Sequence, residues 1–158
     1  MDENIQPTEE IKETKENNAV LPKERIREVD ALGRSRASGG RKRSVASVII
    51  TPGGSGKITV NKKDVSHAFP REFNLHSIMR PLNLCGGSFD IVAKVRGGGK
   101  TGQADALRLA ISLAMLKHNP MLYPTLRKEK LTTRDPRKVE PKKTGYIGAR
   151  AAKPTSRR

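Results

Sequence analysis

One segment, Ala104 to Leu116, is apolar over most of its length and predicts a buried helix. It contains no glycine, proline or asparagine, and its polar positions Asp105, Arg108 and Ser112 fall on one narrow stripe at i, i+3, i+7 spacing. A helix with so much apolar surface must be covered on two sides. We therefore expect it to be the central helix of the core, with Leu113 fully buried.

A strand is predicted just before this helix. Ser88 to Val95 alternates apolar and polar residues, which is typical of a half-buried strand. Between strand and helix lies a basic glycine loop, Arg96 to Gly102, with the sequence RGGGKTG. The unit is thus strand, glycine loop and buried helix, with positive charge at the loop.

Upstream, a β-hairpin is predicted around a glycine-rich turn. Ser44 to Thr51 is rich in β-branched residues, Pro52 to Gly56 has turn composition, and Lys57 to Asn61 reads as the returning strand. The basic segment Arg34 to Arg43 is interpreted as a flexible entry into the fold.

Further helices are expected on either side of the central unit. Asp64 is placed to cap a short helix through Phe69, and Arg71 to Arg80 predicts a helix that ends at Pro81 with Phe73 and Ile78 inward. Pro120 to Lys130 predicts another, with Pro124 tolerated in its first turn. We expect an ordered core from Ser44 to about Lys130 and a globular α+β domain over residues 34–130.

Composition indicates which class of partner the protein binds. The 158 residues include 32 Lys and Arg against 16 Asp and Glu, a net charge of +16, which indicates a polyanionic partner, most often nucleic acid. The single cysteine, Cys85, excludes an internal disulfide and a cysteine-cluster zinc site. No apolar run is long enough to span a membrane, so we expect a soluble intracellular protein without a membrane partner. We also expect that it needs no cofactor.

The two ends of the chain have opposite character. Residues 1–33 hold nine acids and five bases with few apolar residues, which predicts an acidic flexible leader whose function is not readable. Residues 131–158 form a basic tail, with nine bases and two acids from Arg134 onward. Two interpretations of this tail stand: a solvated run of charge, or an extended arm that is ordered by RNA. Self-repulsion of the tail favours the second.

The glycine loop also has alternative interpretations. Gly99-Lys100-Thr101 matches the end of a nucleotide-binding P-loop, but that pattern needs a glycine where Lys94 stands. The glycines are otherwise a simple turn into the helix, or a loop pressed against the phosphates of a polymer. The last interpretation is favoured by the charge of the chain.

Three stretches together resemble a known family. GRKRSVASVIITPGGSGKITVN, FDIVAKVRGGGKTGQADALRLAI and LTTRDPRKVEPKK, in that order, are similar to the universal small-subunit ribosomal protein S-nine family in its bacterial or organellar form. The resemblance implies a four-stranded sheet packed on helices with a split βαβ unit. It also implies a structural role in the ribosome of the cytoplasm or an organelle. The implied partners are 16S-type ribosomal RNA in the head of the small subunit and neighbouring proteins of that head.

The resemblance and the charge pattern together indicate which residues bind ribosomal RNA and transfer RNA. In the family the tail passes between RNA helices and its last basic residue contacts the P-site transfer RNA, which here points to Arg157 and Arg158. The chain departs from the family pattern at Asp105, at Leu109-Ala110, and in the tail at Pro141, Thr144 and the ending PTSRR. The residues expected to bind ribosomal RNA are Arg41, Lys42, Arg43, Arg96, Lys100, Arg134, Arg137, Lys138, Lys142, Lys143, Arg150 and Lys153.

Two other function classes compete with this one. A small basic DNA-binding or nucleoid protein fits the charge, but the chain lacks a helix-turn-helix, zinc-finger or basic-zipper pattern. An enzyme ranks third, because no paired carboxylates, activated nucleophile or metal constellation can be assembled from the sequence.

Overall fold

The computed structural model describes residues 29–154. Over that range the chain has the expected α+β class, with one mixed sheet and helices over one of its faces. Most of the predicted leader lies outside the described residues, as do Arg157 and Arg158. The elements are strands β1 (Ser35–Arg41), β2 (Ser44–Pro52), β3 (Ile58–Val60), β4 (Lys63–Asp64) and β5 (Phe89–Arg96), helices α1 (Val65–Ala68), α2 (Glu72–Cys85), α3 (Lys100–His118) and α4 (Tyr123–Lys128), and a 3-10 helix at Pro120–Leu122.

The sheet of the described residues has five strands in the order β1-β2-β5-β3-β4, so the expectation of four strands is wrong. Two of these strands have no counterpart in the sequence prediction: the two-residue β4, and β1, whose sequence is typical of a flexible entry. The inward positions of β1 are Ser35, Ala37 and Gly39, which alternate with the exposed Arg36 and Ser38. Because the buried side chains are so small, the alternation carries almost no hydrophobic signal.

The predicted hairpin between β2 and β3 is also wrong. β2 pairs antiparallel with β1 and with β5, whereas β3 lies on the far side of β5 and runs parallel to it. The carboxylate of Asp90 on β5 holds the turn between β2 and β3 in this path. Its Oδ1 accepts hydrogen bonds from Ser55 Oγ at 3.3 Å and from the Lys57 amide at 3.2 Å, which carries the glycine turn across the end of β5.

The parallel pair also bears on the split βαβ unit implied by the resemblance. β3 and β5 are hydrogen-bonded neighbours, so no strand is inserted between them. The crossover between them contains α1 and α2.

Asp64 caps α1 as predicted, and α2 runs beyond Pro81, which is buried within it. Ile78 points inward as predicted, but Phe73 is 76% exposed.

Helix α3 is the central helix, as predicted. It lies across β1 and β2 and packs against α2 on its other side. The contact with β1 is a close backbone approach, because a Cβ placed on Gly39 would lie 2.4 Å from Ala106 O and 2.7 Å from Ala110 N. Leu107 is completely buried, but Leu113 is only half-buried, contrary to the prediction. It lies between the main core and a second, smaller cluster.

The second cluster marks the end of the folded domain. Leu116 of α3, Leu126 of α4 and Leu131 bury their side chains together. From residue 132 to residue 154 the chain has no helix or strand and only one isolated bridge, between Tyr146 and Ala152. No helix among the described residues is both long and apolar enough to cross a membrane.

Candidate nucleic-acid interface

The basic turn between β1 and β2 lies beside the glycine loop. Val45 pairs with Arg96 at the end of β5, which brings the turn residues Lys42 and Arg43 next to Gly97 and Gly98. Both glycines have positive φ, and a Cβ on Gly97 would lie 2.6 Å from Arg43 O. The glycines are therefore needed for close contact between the loop and the turn as well as for the backbone conformation.

Hydrogen bonds hold this contact in place. Ser44 is 1% exposed and donates from Oγ to Gly97 O at 3.1 Å. Gln103 donates from Nε2 to the same carbonyl at 3.0 Å. The loop is thus fixed against its own chain on one side, and its outer side remains available to a partner.

Lys100, at the start of α3, has a local structural partner. Its Nζ donates to Ala68 O at 3.1 Å and lies 5.8 Å from the ring centroid of Phe69. The side chain therefore braces the end of α1 against α3. The ammonium group stays at the protein surface, so its charge still contributes to this basic region.

Arg41 connects the folded domain to the tail. Its guanidinium group lies 3.1 Å from the Asp135 carboxylate and 3.7 Å from the Asp105 carboxylate, and it donates to Arg137 O at 3.2 Å. The side chain is only 16% exposed. Asp105, a departure from the family pattern, is thus one of the partners that hold this arginine at the root of the tail.

Asp135 is the acid at the centre of this arrangement. Arg137 binds its carboxylate through the side chain and donates its backbone N–H, and Arg41 adds positive charge. The hydrogen bonds from Arg137 are the main cause that lowers the pKa of Asp135 to about 2, and the same pairing raises the pKa of Arg137. Asp135 therefore stays ionised at any physiological pH and keeps the ion pair with Arg41.

A cleft of about 470 Å³ lies at the tail root, lined by Lys42, Arg134, Asp135, Pro136 and Lys138. The Arg134 guanidinium lies over β1, where a Cβ on Gly40 would approach it to 3.3 Å. The structure thus brings Lys42 together with predicted binding residues of the tail that are far from it in sequence. Arg43, Arg96 and Lys100 lie on the other side of the same turn.

The remaining predicted residues are on the outer tail. Lys142, Lys143, Arg150 and Lys153 are exposed and do not line the cleft at the tail root. Arg150 forms a two-point ion pair with Glu140, with Nε at 2.9 Å from Oε2, and this hydrogen bonding lowers the pKa of Glu140. The pair closes residues 140–150 into a loop.

Sequence reasoning missed two residues of this surface. Arg71 and Asn74, at the start of α2, line a second cleft with Lys42, Arg43 and Lys100. They are far in sequence from the basic turn and the glycine loop that line the same cleft, and no local pattern marked them. Over residues 29–154 no cluster of His, Cys, Asp and Glu is suited to holding a metal ion.

The strand-loop-helix unit, the basic turn and the tail root are the parts of the chain that carried the resemblance. A model of the family described as ribosomal protein S9/S16 matches residues 39–158. The chain belongs to this family. The expectation drawn from the three motifs is confirmed, and the match begins at Gly39, where β1 contacts α3.

Three similar bacterial proteins support this family assignment. The small ribosomal subunit protein uS9 of Methylacidiphilum infernorum is 47% identical over 117 residues, which cover 73% of this chain and 85% of that protein. The uS9 proteins of Bacteroides fragilis and Mycoplasma pneumoniae are 46% and 49% identical, over 77% and 72% of this chain and 91% and 89% of their own lengths. The similarity thus spans nearly the whole of each relative.

Proposed function

We propose that this ribosomal protein is a structural component of the small ribosomal subunit that binds 16S-type ribosomal RNA in the subunit head. Its place of action would be the ribosome of the cytoplasm or of an organelle. Family membership supports the assembly. The observation that carries the binding surface is the convergence of Lys42 and Arg43 with Lys100 on one side and with Arg134 and Lys138 on the other.

Such a surface binds RNA by charge and shape. Lysine and arginine neutralise backbone phosphates, which gives affinity and orientation without reading the base sequence. Lys42, Arg43, Arg134, Lys138, Lys142, Lys143 and Lys153 form no ion pair within the described part of the chain, so their charges are available to a polyanion. Arg41 and Arg137 hold the tail root in position between them.

The tail would extend along RNA and end at the transfer RNA in the P site. Arg157 and Arg158 lie at the end of the chain, and guanidinium groups bind phosphate in two-point contacts that persist at any cellular pH. The exposed apolar side chains Phe73 and Ile147 are candidates for contact with neighbouring head proteins.

Reconstitution tests the RNA surface. The double variant Lys42→Ala/Arg43→Ala should lower incorporation into small subunits, measured by co-sedimentation in sucrose gradients. The matched control is Lys62→Ala/Lys63→Ala, which removes the same charge from the opposite edge of the sheet at β4. Equal incorporation of the two variants would exclude the turn as a binding site, and failure of the unaltered protein to sediment with subunits would overturn the proposal itself.

A truncation tests the tip of the tail separately. Removal of Ser156 to Arg158 should leave the protein in the subunit, because the other bases remain. It should weaken P-site transfer RNA binding about tenfold, as expected for loss of one or two charged hydrogen bonds. Filter binding with truncated and intact ribosomes measures this, and equal affinities at low and high salt would show that the tip has no such role.

A further inference from the structure

The basic tail carries a single aromatic side chain, Tyr146, and that side chain is exposed. We infer that Tyr146 stacks on an unpaired base of a single-stranded nucleic acid, and that the turn of residues 143–146 holds its ring in position. The assignment of that base to ribosomal RNA rests on the proposed function. The stacking site itself rests on exposure, backbone geometry and charge.

The ring of Tyr146 is uncovered in a protein with few aromatic residues. The chain has three Phe, two Tyr and no Trp, and of these five only Phe73 and Tyr146 are exposed. Tyr146 is 43% exposed, and within residues 29–154 its ring contacts neither another ring nor a cation. Its partner across the isolated bridge is Ala152, which has only a methyl group to cover it. The ring is therefore available to a flat partner.

Hydrogen bonds on both sides of Tyr146 fix its backbone. Its N–H donates to Lys143 O at 3.3 Å, which closes a four-residue turn. Gly145, the third residue of that turn, has a φ of +83°, as a type II turn requires at this position. Beyond the turn, Ile147 N–H donates to Ala151 O at 2.9 Å. The tyrosine is thus held in one place on an arm that otherwise has no helix or strand.

The charges around Tyr146 favour a nucleic acid over a protein as its partner. Residues 140–154 contain four bases: Lys142, Lys143, Arg150 and Lys153. The one acid in this range, Glu140, is paired with Arg150, whereas the three lysines form no ion pair within the described part of the chain. Lysine is depleted at protein interfaces. An exposed aromatic ring among basic side chains is typical of surfaces that bind single strands.

Stacking on this ring requires an unpaired base. The bases of a duplex are covered by their neighbours on both faces, whereas those of loops, bulges and single strands can be splayed out onto an aromatic side chain. Every base has such a face, so the contact tolerates changes of sequence. We therefore expect the tail to prefer unpaired RNA, which phosphate contacts alone would not achieve.

Intrinsic tyrosine fluorescence tests the stacking, because the chain has no Trp and only two Tyr. In the full-length Tyr123→Phe protein, Tyr146 is the only fluorophore. A single-stranded RNA of mixed sequence should quench its emission saturably. An abasic strand of the same length has the same phosphates and should bind without quenching. Equal quenching by the two strands, or no quenching by either, would overturn the inference.

Affinities for the same two strands separate stacking from charge. Tyr146→Ala should weaken binding of the intact strand roughly fivefold to a hundredfold, as expected for loss of one stacked base. It should leave binding of the abasic strand unchanged, and Tyr146→Phe should retain both affinities. The matched control is Phe73→Ala, which removes the other exposed ring and should alter neither affinity. Equal losses in Tyr146→Ala and Phe73→Ala would also overturn the inference.

Two glycine variants test the turn without a change of charge. Gly145→Ala places a side chain at positive φ, which disfavours the turn, and should weaken binding of the intact strand by roughly fivefold. Gly148→Ala is the control, because that glycine has no positive φ and an added Cβ would meet only Ala151 Cβ at 4.0 Å. Equal effects of the two variants would contradict the role of the turn.

Subunit reconstitution separates this inference from the proposed function. If the protein enters small subunits but single-stranded RNA does not quench Tyr146, the inference is wrong and the proposed function stands. If the RNA quenches Tyr146 but the protein never enters subunits, the stacking site stands. Only the proposed function, and with it the assignment of the base to ribosomal RNA, would then be refuted.

Discussion

The folded domain (residues 35–128) and the described tail (residues 131–154) are held in shape by different forces. The domain buries Leu107, Ile111 and Met115 of α3 against the sheet and α2, so its order depends on excluded water and close packing. The tail has little buried surface beyond Leu131, and its shape depends on ion pairs such as Arg41–Asp135 and Glu140–Arg150. The first kind of order is nearly independent of a partner. The ion pairs of the tail can be replaced by contacts with RNA, because RNA phosphates compete for the same arginines.

Salt dependence should show the largest effect. If about eight phosphates are neutralised, log K for RNA should fall against log salt with a slope of roughly −6 to −7, or about ten-thousandfold between 50 and 200 mM salt. Truncation after Thr132 should remove about half of that slope while the melting temperature hardly changes. Fluorescence anisotropy over a salt series measures both, and a slope shallower than about −2 for the intact protein would mean that the tail is not engaged.

Shortening a core side chain should lower the stability of the folded domain and leave the tail unchanged. Leu107→Ala should lower the free energy of unfolding by about 2–5 kcal/mol through lost transfer energy and the cavity left behind. Leu113→Ala should cost less, because that side chain is only half-buried. Val139→Ala, at an 85% exposed tail position, is the control and should change nothing measurable. Urea denaturation ranks the three variants, and equal costs for Leu107 and Leu113 would contradict the packing described here.

Loss of Arg41 should loosen the tail root without unfolding the domain. Arg41→Ala removes the contacts to Asp105, Asp135 and Arg137 O together, so limited proteolysis between residues 133 and 140 should accelerate several-fold. RNA affinity should fall about threefold to tenfold. Arg36→Ala, an exposed arginine on the same strand, is the matched control. If both variants are cleaved at the same rate, Arg41 does not hold the tail.

The smallest effect concerns pH. The pKa of Asp135 is lowered from its ordinary value of 3.8 to about 2, mainly by hydrogen bonds from Arg137. The stabilisation from this carboxylate is therefore complete above about pH 4 and is lost as the pH falls through about 2. NMR titration of the side-chain carboxyl should give a low pKa that rises toward 3.8 in Arg137→Ala. A pKa near 3.8 in the unaltered protein would show that the pair does not form in solution.

The elements with strong local patterns were predictable from the sequence. α3 is long and apolar, β5 alternates, and Asp64 caps α1 where its side chain implied. The glycine loop was correctly placed between β5 and α3. These features depend on residues close in sequence, for which periodicity and capping chemistry suffice.

The features that were missed depend on contacts between distant residues. β1 is a strand because it pairs with β2, and the small residues that let it approach α3 at Gly39 look like those of a flexible linker. β3 pairs with β5 on the side away from β2, and the turn that leads there is bonded to Asp90, far from it in sequence. Of the candidate site, the basic turn, loop and tail were foreseeable from charge. Arg71, Asn74 and the pairing of Arg41 with Asp135 were not, because only the fold brings them to the surface that they share.

The attachment of the tail at Leu131 and Arg41 also limits the distance that the end of the tail can reach from the domain. A chain held only at Leu131 would extend at most about 80 Å to Pro154, and the grip of Arg41 on Asp135 shortens this tether to about 65 Å. A shorter tether confines the tip to a smaller volume and raises its effective concentration near any RNA already bound by the domain. Capture of the domain's target would then make engagement of the tail an intramolecular event, so the order of assembly would run from the domain to the tip.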